Sequence, residues 1–183
     1  MALHSCTDRF GVAVQESVGP PRIAVFDDGR SLSNSLIERV DSLLPRSRWP
    51  KIQGLAVATG PGGFTGTRLT VVMARTLAQQ LDCPLLGMSA FALMAQRLQF
   101  SHQPFWITQV LPRRGVVAGQ YSIAGDKVTE IEVPHLLEDG RVVTPARSAE
   151  LDVEADVACL LAQLQLSLER RDHLPWQGVL PIY

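Results

Sequence analysis

The sequence predicts an α/β fold in two lobes, the second smaller than the first. Three observations carry that prediction. Short runs with strand character, punctuated by Asp, Gly and Pro turns, fill the first stretch before any helical periodicity begins, so the chain opens on a strand meander. Short apolar runs then alternate with helical patterns as far as about residue 99. A second group of three strand-like runs follows, and only one helix pattern comes after it. A purely doubly wound order, strand and helix in strict alternation, is excluded by the opening meander.

Taken in order, residues 2–7 and 10–16 read as strands joined by a tight turn at Asp8-Arg9. Val12 and Val14 alternate with Ala13 and Gln15, as a strand with two unlike faces requires. Gly19-Pro20-Pro21 turns the chain into a third strand over 22–26, and Asp27-Asp28-Gly29 closes the meander. Ser33 reads as a helix N-cap, followed by Leu36, Ile37, Val40, Leu43 and Leu44 at helical spacing, and Pro45 stops that helix. Residues 46–51 read as a polar loop. Leu55-Ala56-Val57-Ala58-Thr59 is a buried strand, and Gly60-Pro61-Gly62-Gly63-Phe64-Thr65-Gly66 holds four glycines and a proline in seven residues. A long apolar helix starts near Thr65. Residues 83–88 form another strand, and Ser89 caps a helix to about Gln99 with Phe91, Leu93, Met94 and Leu98 as its apolar set.

After the Ser101-His102-Gln103-Pro104 loop, strands over 105–111, 116–123 and 127–133 repeat the three-strand order and hint at an internal structural duplication. A final helix over 150–168 carries Leu151, Val157, Leu160, Leu161 and Leu164 on one stripe. The tail over 173–183 reads as an extended arm, packed back by Trp176 and Tyr183. This is the element order of a ribonuclease-H-like core. Two such cores in tandem make the actin-like ATPase fold, and the second core here is too short for a full helical complement. The lobes are expected to divide into 1–100 and 101–183.

Composition narrows the function classes. The 183 residues are 46% apolar and 19% charged, as in ordinary soluble globular proteins. A net charge of −1 forecasts neither a nucleic-acid nor a membrane surface, and Arg46, Arg48 and Lys51 read as a solvated loop. Cys6, Cys83 and Cys159 are scattered, without a CxxC pair or zinc spacing, which favours a reducing compartment. No signal-peptide pattern opens the chain and no apolar run approaches the roughly 18 residues of a membrane span. A cytoplasmic protein is expected.

The stretch over 55–80 is the most informative. Strand, glycine turn and helix N-terminus in that order form an anion-receptive geometry, so Gly60, Gly62, Gly63, Thr65 and Gly66 are candidates for an anion or nucleotide loop. The turn lacks the Gly-Lys-Ser/Thr ending of a P-loop and has no carboxylate for Mg²⁺. A structural turn is the competing reading. In the helix that follows, Arg68, Arg75 and Gln79 share one stripe, while Leu69, Val71, Val72, Met73, Ala74, Leu77, Ala78 and Leu81 wrap most of the rest. A helix on a sheet needs only one apolar face, so a second packing partner is inferred, from this chain or another. His4, His102, His135 and His173 are dispersed, with no HExxH, so no metal is expected. Ser33, Ser89 and Cys6 lack a nucleophile motif.

From Gly60 to Gly66 and beyond, PGGFTGTRLTVVMARTLA resembles the PGSFTGLRIG…AKGLA signature of the TsaB family, also called YeaZ. Cys83-Pro84-Leu85-Leu86-Gly87-Met88-Ser89 is similar to a second stretch of that family, residues 7–14 to its opening hairpin, 33–44 to its first helix, and Leu180-Pro181-Ile182-Tyr183 to its terminal motif. The resemblance implies the actin-like ATPase fold and a non-catalytic role. TsaB-like proteins pair with a catalytic TsaD-like subunit, and with a TsaE-like ATPase, in a bacterial complex that transfers a threonylcarbamoyl group to N6 of an adenosine beside the tRNA anticodon. It implies contact with tRNA only through that complex, no cofactor beyond ATP or ADP at a subunit interface, and a helix-bundle contact that also supports homodimers. The expected interface positions are Leu36, Val40, Leu69, Val72, Met73 and Thr76, with Arg68, Arg75 and Gln79 at the rim. Departures are present. His4-Ser5-Cys6 stands where the family carries Asp-Thr-Ser, Leu32-Ser33 replaces a His-Ser pair, and Pro112-Arg113-Arg114 replaces Asp-Ala-Arg. The competing reading, of another class, is a small ATPase or kinase of the same fold acting on a phosphorylated or sugar substrate.

Overall fold

The computed structural model describes residues 1–98, 103–111, 114–125, 127–138 and 140–182. The expected helix end at Gln99, the Ser101-His102 part of the next loop, Pro112-Arg113 and Tyr183 lie outside the described residues. Among the described residues no helix is long and apolar enough to cross a membrane.

Strands β1 (Ala2–His4), β2 (Phe10–Val14) and β3 (Arg22–Phe26) form the expected antiparallel meander. β4 (Leu55–Ala58) then joins β1 in parallel, and β5 (Leu85–Met88) joins β4, giving the order β3-β2-β1-β4-β5. Strand alternation gives this sheet two unlike faces. Leu3, Val12, Leu55 and Val57 point to one side, where α1 (Leu32–Leu43) and α2 (Phe64–Leu81) lie. Ala2, Ala13, Ala56 and Ala58 point to the other, where α4 (Val153–Arg170) lies.

Helix α1 departs from the predicted cap. A 3₁₀ turn over Gly29–Ser31 feeds it, it starts at Leu32, and Ser33 sits exposed in its first turn. Ser31 holds the cap position without a capping bond, because its hydroxyl donates to Asp28 O instead. The Arg39 guanidinium beside Asp28 holds that carboxyl below its usual range. Residues 46–51 are a 3₁₀ helix rather than a loop, anchored by Trp49 Nε1 donating to Leu44 O at 2.7 Å. β5 begins two residues later than predicted, because α2 closes on a left-handed Asp82. Helix α3 (Ala90–Arg97) is capped as the sequence indicates: Ser89 Oγ accepts from Ala92 N–H at 3.0 Å.

The second sheet, ordered β8-β7-β6-β9, holds β6 (Phe105–Leu111), β7 (Gly115–Ala124), β8 (Lys127–Leu136) and β9 (Ala146–Ser148). Its antiparallel meander with a fourth strand parallel to the first repeats the arrangement of β1 to β4. The duplication inferred from strand order is therefore visible in topology. β9 has no counterpart in the sequence reading, since three exposed residues offer no alternation to read. Helix α3 covers one face of this sheet, with Phe91, Met94 and Ala95 against Phe105, Ile107, Val117 and Tyr121. Ser89 Oγ and Tyr121 OH both donate to Glu130 Oε2, at 2.5 and 3.0 Å, and fasten the start of α3 to β7 and β8.

One expectation is corrected by packing. The sequence places the final helix in the second lobe, yet Val157, Leu160, Leu161 and Leu164 of α4 lie on the alanine face of the first sheet. The chain crosses back, so no single cut near residue 100 separates the lobes. Small side chains on that face let the helix approach closely. Gly11 is the tightest point: a Cβ there would stand 2.7 Å from Val153 Cγ1 and 3.2 Å from Val153 O. Gly11→Val is therefore expected to force α4 off the sheet and cost about 1–3 kcal/mol, read as a lower midpoint in urea unfolding.

Candidate partner face and glycine turn

The turn after β4 is shaped by backbone approaching backbone. Gly60 adopts φ +104°, a conformation that side chains resist. A Cβ on Gly62 would stand 2.0 Å from Cys6 O, one on Gly66 2.9 Å from Ser5 O, and one on Gly60 2.5 Å from Ile182 O. Three carbonyl oxygens thus converge on three glycines, two from the β1–β2 connection and one from the tail. The Gly63 N–H donates to Cys6 O at 2.9 Å. Thr65 is exposed, and Gly62 and Gly66 are half-buried. These glycines admit the chain's own backbone at the positions predicted to receive an anion.

Beneath the turn, Ser5 Oγ and Thr70 Oγ1 hydrogen-bond at 2.8 Å and tie the end of β1 to α2. His4, which stands where the family resemblance expects a carboxylate, is fully enclosed and its ring nitrogens have no hydrogen-bond partner among the described residues. Its Nε2 lies 3.8 Å from Asp156 Oδ2. Asp156 is held instead by Arg97 Nε at 2.9 Å and by the Asp152 N–H at 3.2 Å. Burial lowers the His4 pKa to about 4, with the Arg97 charge adding to the effect. Burial raises Asp156 to about 6, opposed by Arg97. At neutral pH the site is a neutral imidazole beside an Asp156–Arg97 ion pair that joins the end of α3 to the start of α4. Among the described residues no group of His, Cys, Asp and Glu is placed to hold a metal ion.

The predicted interface residues separate into two sets. Leu36, Val40 and Met73 face the chain's own core, at 6%, 0% and 9% exposure, which corrects their placement on a partner surface. The reason is phase: Leu32, Leu36 and Val40 recur every four residues along the sheet-facing side of α1. Val72 is 60% exposed, and Arg68, Thr76 and Gln79 are exposed with it, while Leu69 and Arg75 are half-buried. Two exposed apolar residues of this face escaped the sequence reading. Ile37 lies one position off the buried α1 stripe, and Phe64, which the glycine-rich spacing places in the turn, is the first residue of α2. The Arg68 guanidinium lies 4.0 Å from the centre of the Phe64 ring. The helices α1 and α2 touch side by side over the same sheet face, so Ile37 and the stripe through Phe64, Arg68, Val72, Thr76 and Gln79 belong to one side of the molecule.

A family profile described as TsaD, tRNA N6-adenosine threonylcarbamoyltransferase, matches residues 28–155, more than half of the chain. The chain belongs to that family. A short stretch and the fold resemble proteins of the TsaB/YeaZ type. The tRNA threonylcarbamoyladenosine biosynthesis protein TsaB of Bacillus subtilis (strain 168) is 44% identical over 41 residues, a match spanning 22% of this chain and 18% of that protein. Two solved structures from Pseudomonas aeruginosa share the fold. One is of a protein described as similar to the peptidase YeaZ, with a TM-score of 0.76, 20% identity, and coverage of 100% of this chain and 97% of that one. The other is YeaZ itself, with a TM-score of 0.75 at 20% identity and the same coverage. The likeness of fold to these two structures extends over both sheets of this chain.

Two outcomes follow from the geometry of the turn and of His4. Gly62→Ala is expected to lose at least about 3 kcal/mol of stability, because the Cys6 carbonyl is backbone and cannot swing away. Gly63→Ala, whose Cβ would meet nothing nearer than 3.6 Å, should stay close to the unmodified chain; thermal melts of the pair check the contrast. For His4, the folded value of about 4 lies below the ordinary 6.5, so between these limits the unfolded chain takes up the proton first. Its contribution is fully present above pH 6.5 and is lost as pH falls towards 4. Asp156, raised from 3.8 to about 6, acts with the opposite slope across its own window. The stability difference between the unmodified chain and His4→Leu is expected to change by on the order of 3 kcal/mol over that fall in pH, measured by urea unfolding at each pH.

Proposed function

We propose that this chain is a non-catalytic scaffold subunit in the modification of tRNA adenosine to threonylcarbamoyladenosine, docking through α1 and α2 onto a catalytic TsaD-like subunit. The observation that carries the reading is the exposed stripe on α2, where Val72 and Phe64 stand clear of the core beside Arg68, Thr76 and Gln79. An apolar centre with a polar rim is the composition of a protein interface. Docking would work by holding the catalytic subunit in its active arrangement, since a partner that binds one conformation better shifts the population towards it. A TsaE-like ATPase would join the same assembly, tRNA would be met only through the complex, and the same face would support a homodimer. The cytoplasm is the compartment this role requires. The family membership and the name of the Bacillus subtilis relative support the pathway.

The face separates two neighbouring residues that sequence periodicity treats alike. Val72→Glu is expected to abolish co-elution with the TsaD-like subunit on size exclusion and to lower adenosine modification to the level seen without this chain. Its unfolding free energy should stay within about 0.5 kcal/mol of the unmodified protein. Met73→Glu puts a charge into the core and is expected to destabilise the monomer itself by at least about 3 kcal/mol. Retained pairing by a folded Val72→Glu protein would exclude this face.

A further inference from the structure

Residues 174–182 run past the open side of the first sheet. Leu174 O accepts from the Leu85 N–H at 3.0 Å, and the Ile182 N–H donates to Thr59 O at 2.7 Å. β5 is the last strand of its sheet, and this segment pairs its outward Leu85 N–H. The seat is cut to fit. A Cβ on Gly87 would stand 2.8 Å from Val179 Cγ1, and one on Gly60 2.5 Å from Ile182 O. Val179 is buried in the core under α1 and α2, and Trp176 packs on the same core with its ring 5.8 Å from the Arg75 guanidinium. Leu174 packs on the alanine face instead. A 3₁₀ turn at Trp176–Gly178 shapes the middle of the segment, and backbone hydrogen bonds at its two ends, glycine notches and spaced apolar anchors hold it in place.

The link that delivers the segment is short and strained. Helix α4 ends at Arg170, and Arg171 adopts φ +59°, a left-handed conformation that costs a residue with a side chain, while its N–H donates to Leu168 O and the Asp172 N–H to Ser167 O to close the helix. Asp172 and His173 are exposed, and Leu174 is already seated. A short hinge under strain invites exchange, because straightening it relieves the strain while an identical segment from another molecule refills the seat.

We propose that the groove between β5, Thr59 and the end of α2 is an exchangeable peptide seat, whose second occupant is residues 174–182 of another copy of this chain. The exchanged dimer repeats every contact of the closed monomer outside the hinge. A tethered segment has an effective concentration in the millimolar range, so the closed monomer dominates in dilute solution and the dimer grows as the protein is concentrated. This seat lies apart from the exposed stripe of α2, and its occupancy does not depend on the scaffold role.

The test uses the full chain in a Cys159→Ser background, since Cys6 and Cys83 are buried. Proteins carrying Gly87→Cys alone and Val179→Cys alone are mixed, concentrated and oxidised. A disulfide-linked dimer with one chain of each kind is expected, its yield rising roughly in proportion to protein concentration below the millimolar range. A synthetic peptide of the sequence over 174–182 should suppress it. The double variant Gly87→Cys/Val179→Cys should close within one chain in dilute solution. No mixed dimer at any concentration, while the double variant closes, overturns the exchange. A folded double variant that does not close overturns the seat itself.

Discussion

The carbonyl oxygens of Ser5 and Cys6 lie so near Gly66 and Gly62 that no side chain fits between them, and much of the molecule depends on that crossing. It presses the start of α2 onto the end of β1. The Ser5–Thr70 hydrogen bond and the Gly63 N–H to Cys6 O bond hold it there. With its first turn fixed, α2 can lie along the sheet with Val71, Ala74 and Ala78 fully buried. The opposite side of the same helix is then held at a constant orientation towards solvent. A docking face needs that rigidity, because flexible side chains on a wandering helix would lose binding energy to ordering.

Each side of the first sheet is specialised by residue size. Leucine and valine on one side match the larger side chains of α1 and α2, while alanine and Gly11 on the other bring α4 close. The close helix also explains the buried polar group at the end of β1. His4 is sealed under α4 beside an ion pair that already has its partners, and a neutral ring is what such a place tolerates. A carboxylate in its position would set a second negative charge beside Asp156.

Much of the architecture was legible in the chain. Both meanders, the strand before the glycine turn, the long helix after it and the Ser89 cap all stand close to where periodicity and turn chemistry put them. Each misreading has its own physical cause. Ser33 looked like a cap because a hydroxyl near a helix start is usually one, but the Ser31 hydroxyl faces backwards to Asp28 and the helix begins earlier. β9 is too short and too exposed to leave a pattern. Leu36, Val40 and Met73 were grouped with Val72 because an apolar residue carries no label for which neighbour it will meet.

By itself the sequence determined the order of the α-helices and of every strand but β9, the two-fold recurrence of three strands, and the presence of one helix too apolar for a single contact. Those properties are local: they arise from side-chain period, turn residues and composition within a few positions. Only the tertiary structure decided that α4 returns to the first sheet, that the glycines make room for carbonyls of residues 5, 6 and 182, and that Val72 rather than Met73 meets solvent. Each of these depends on which distant backbone lies opposite a given residue, and that is settled by packing a whole chain into one volume.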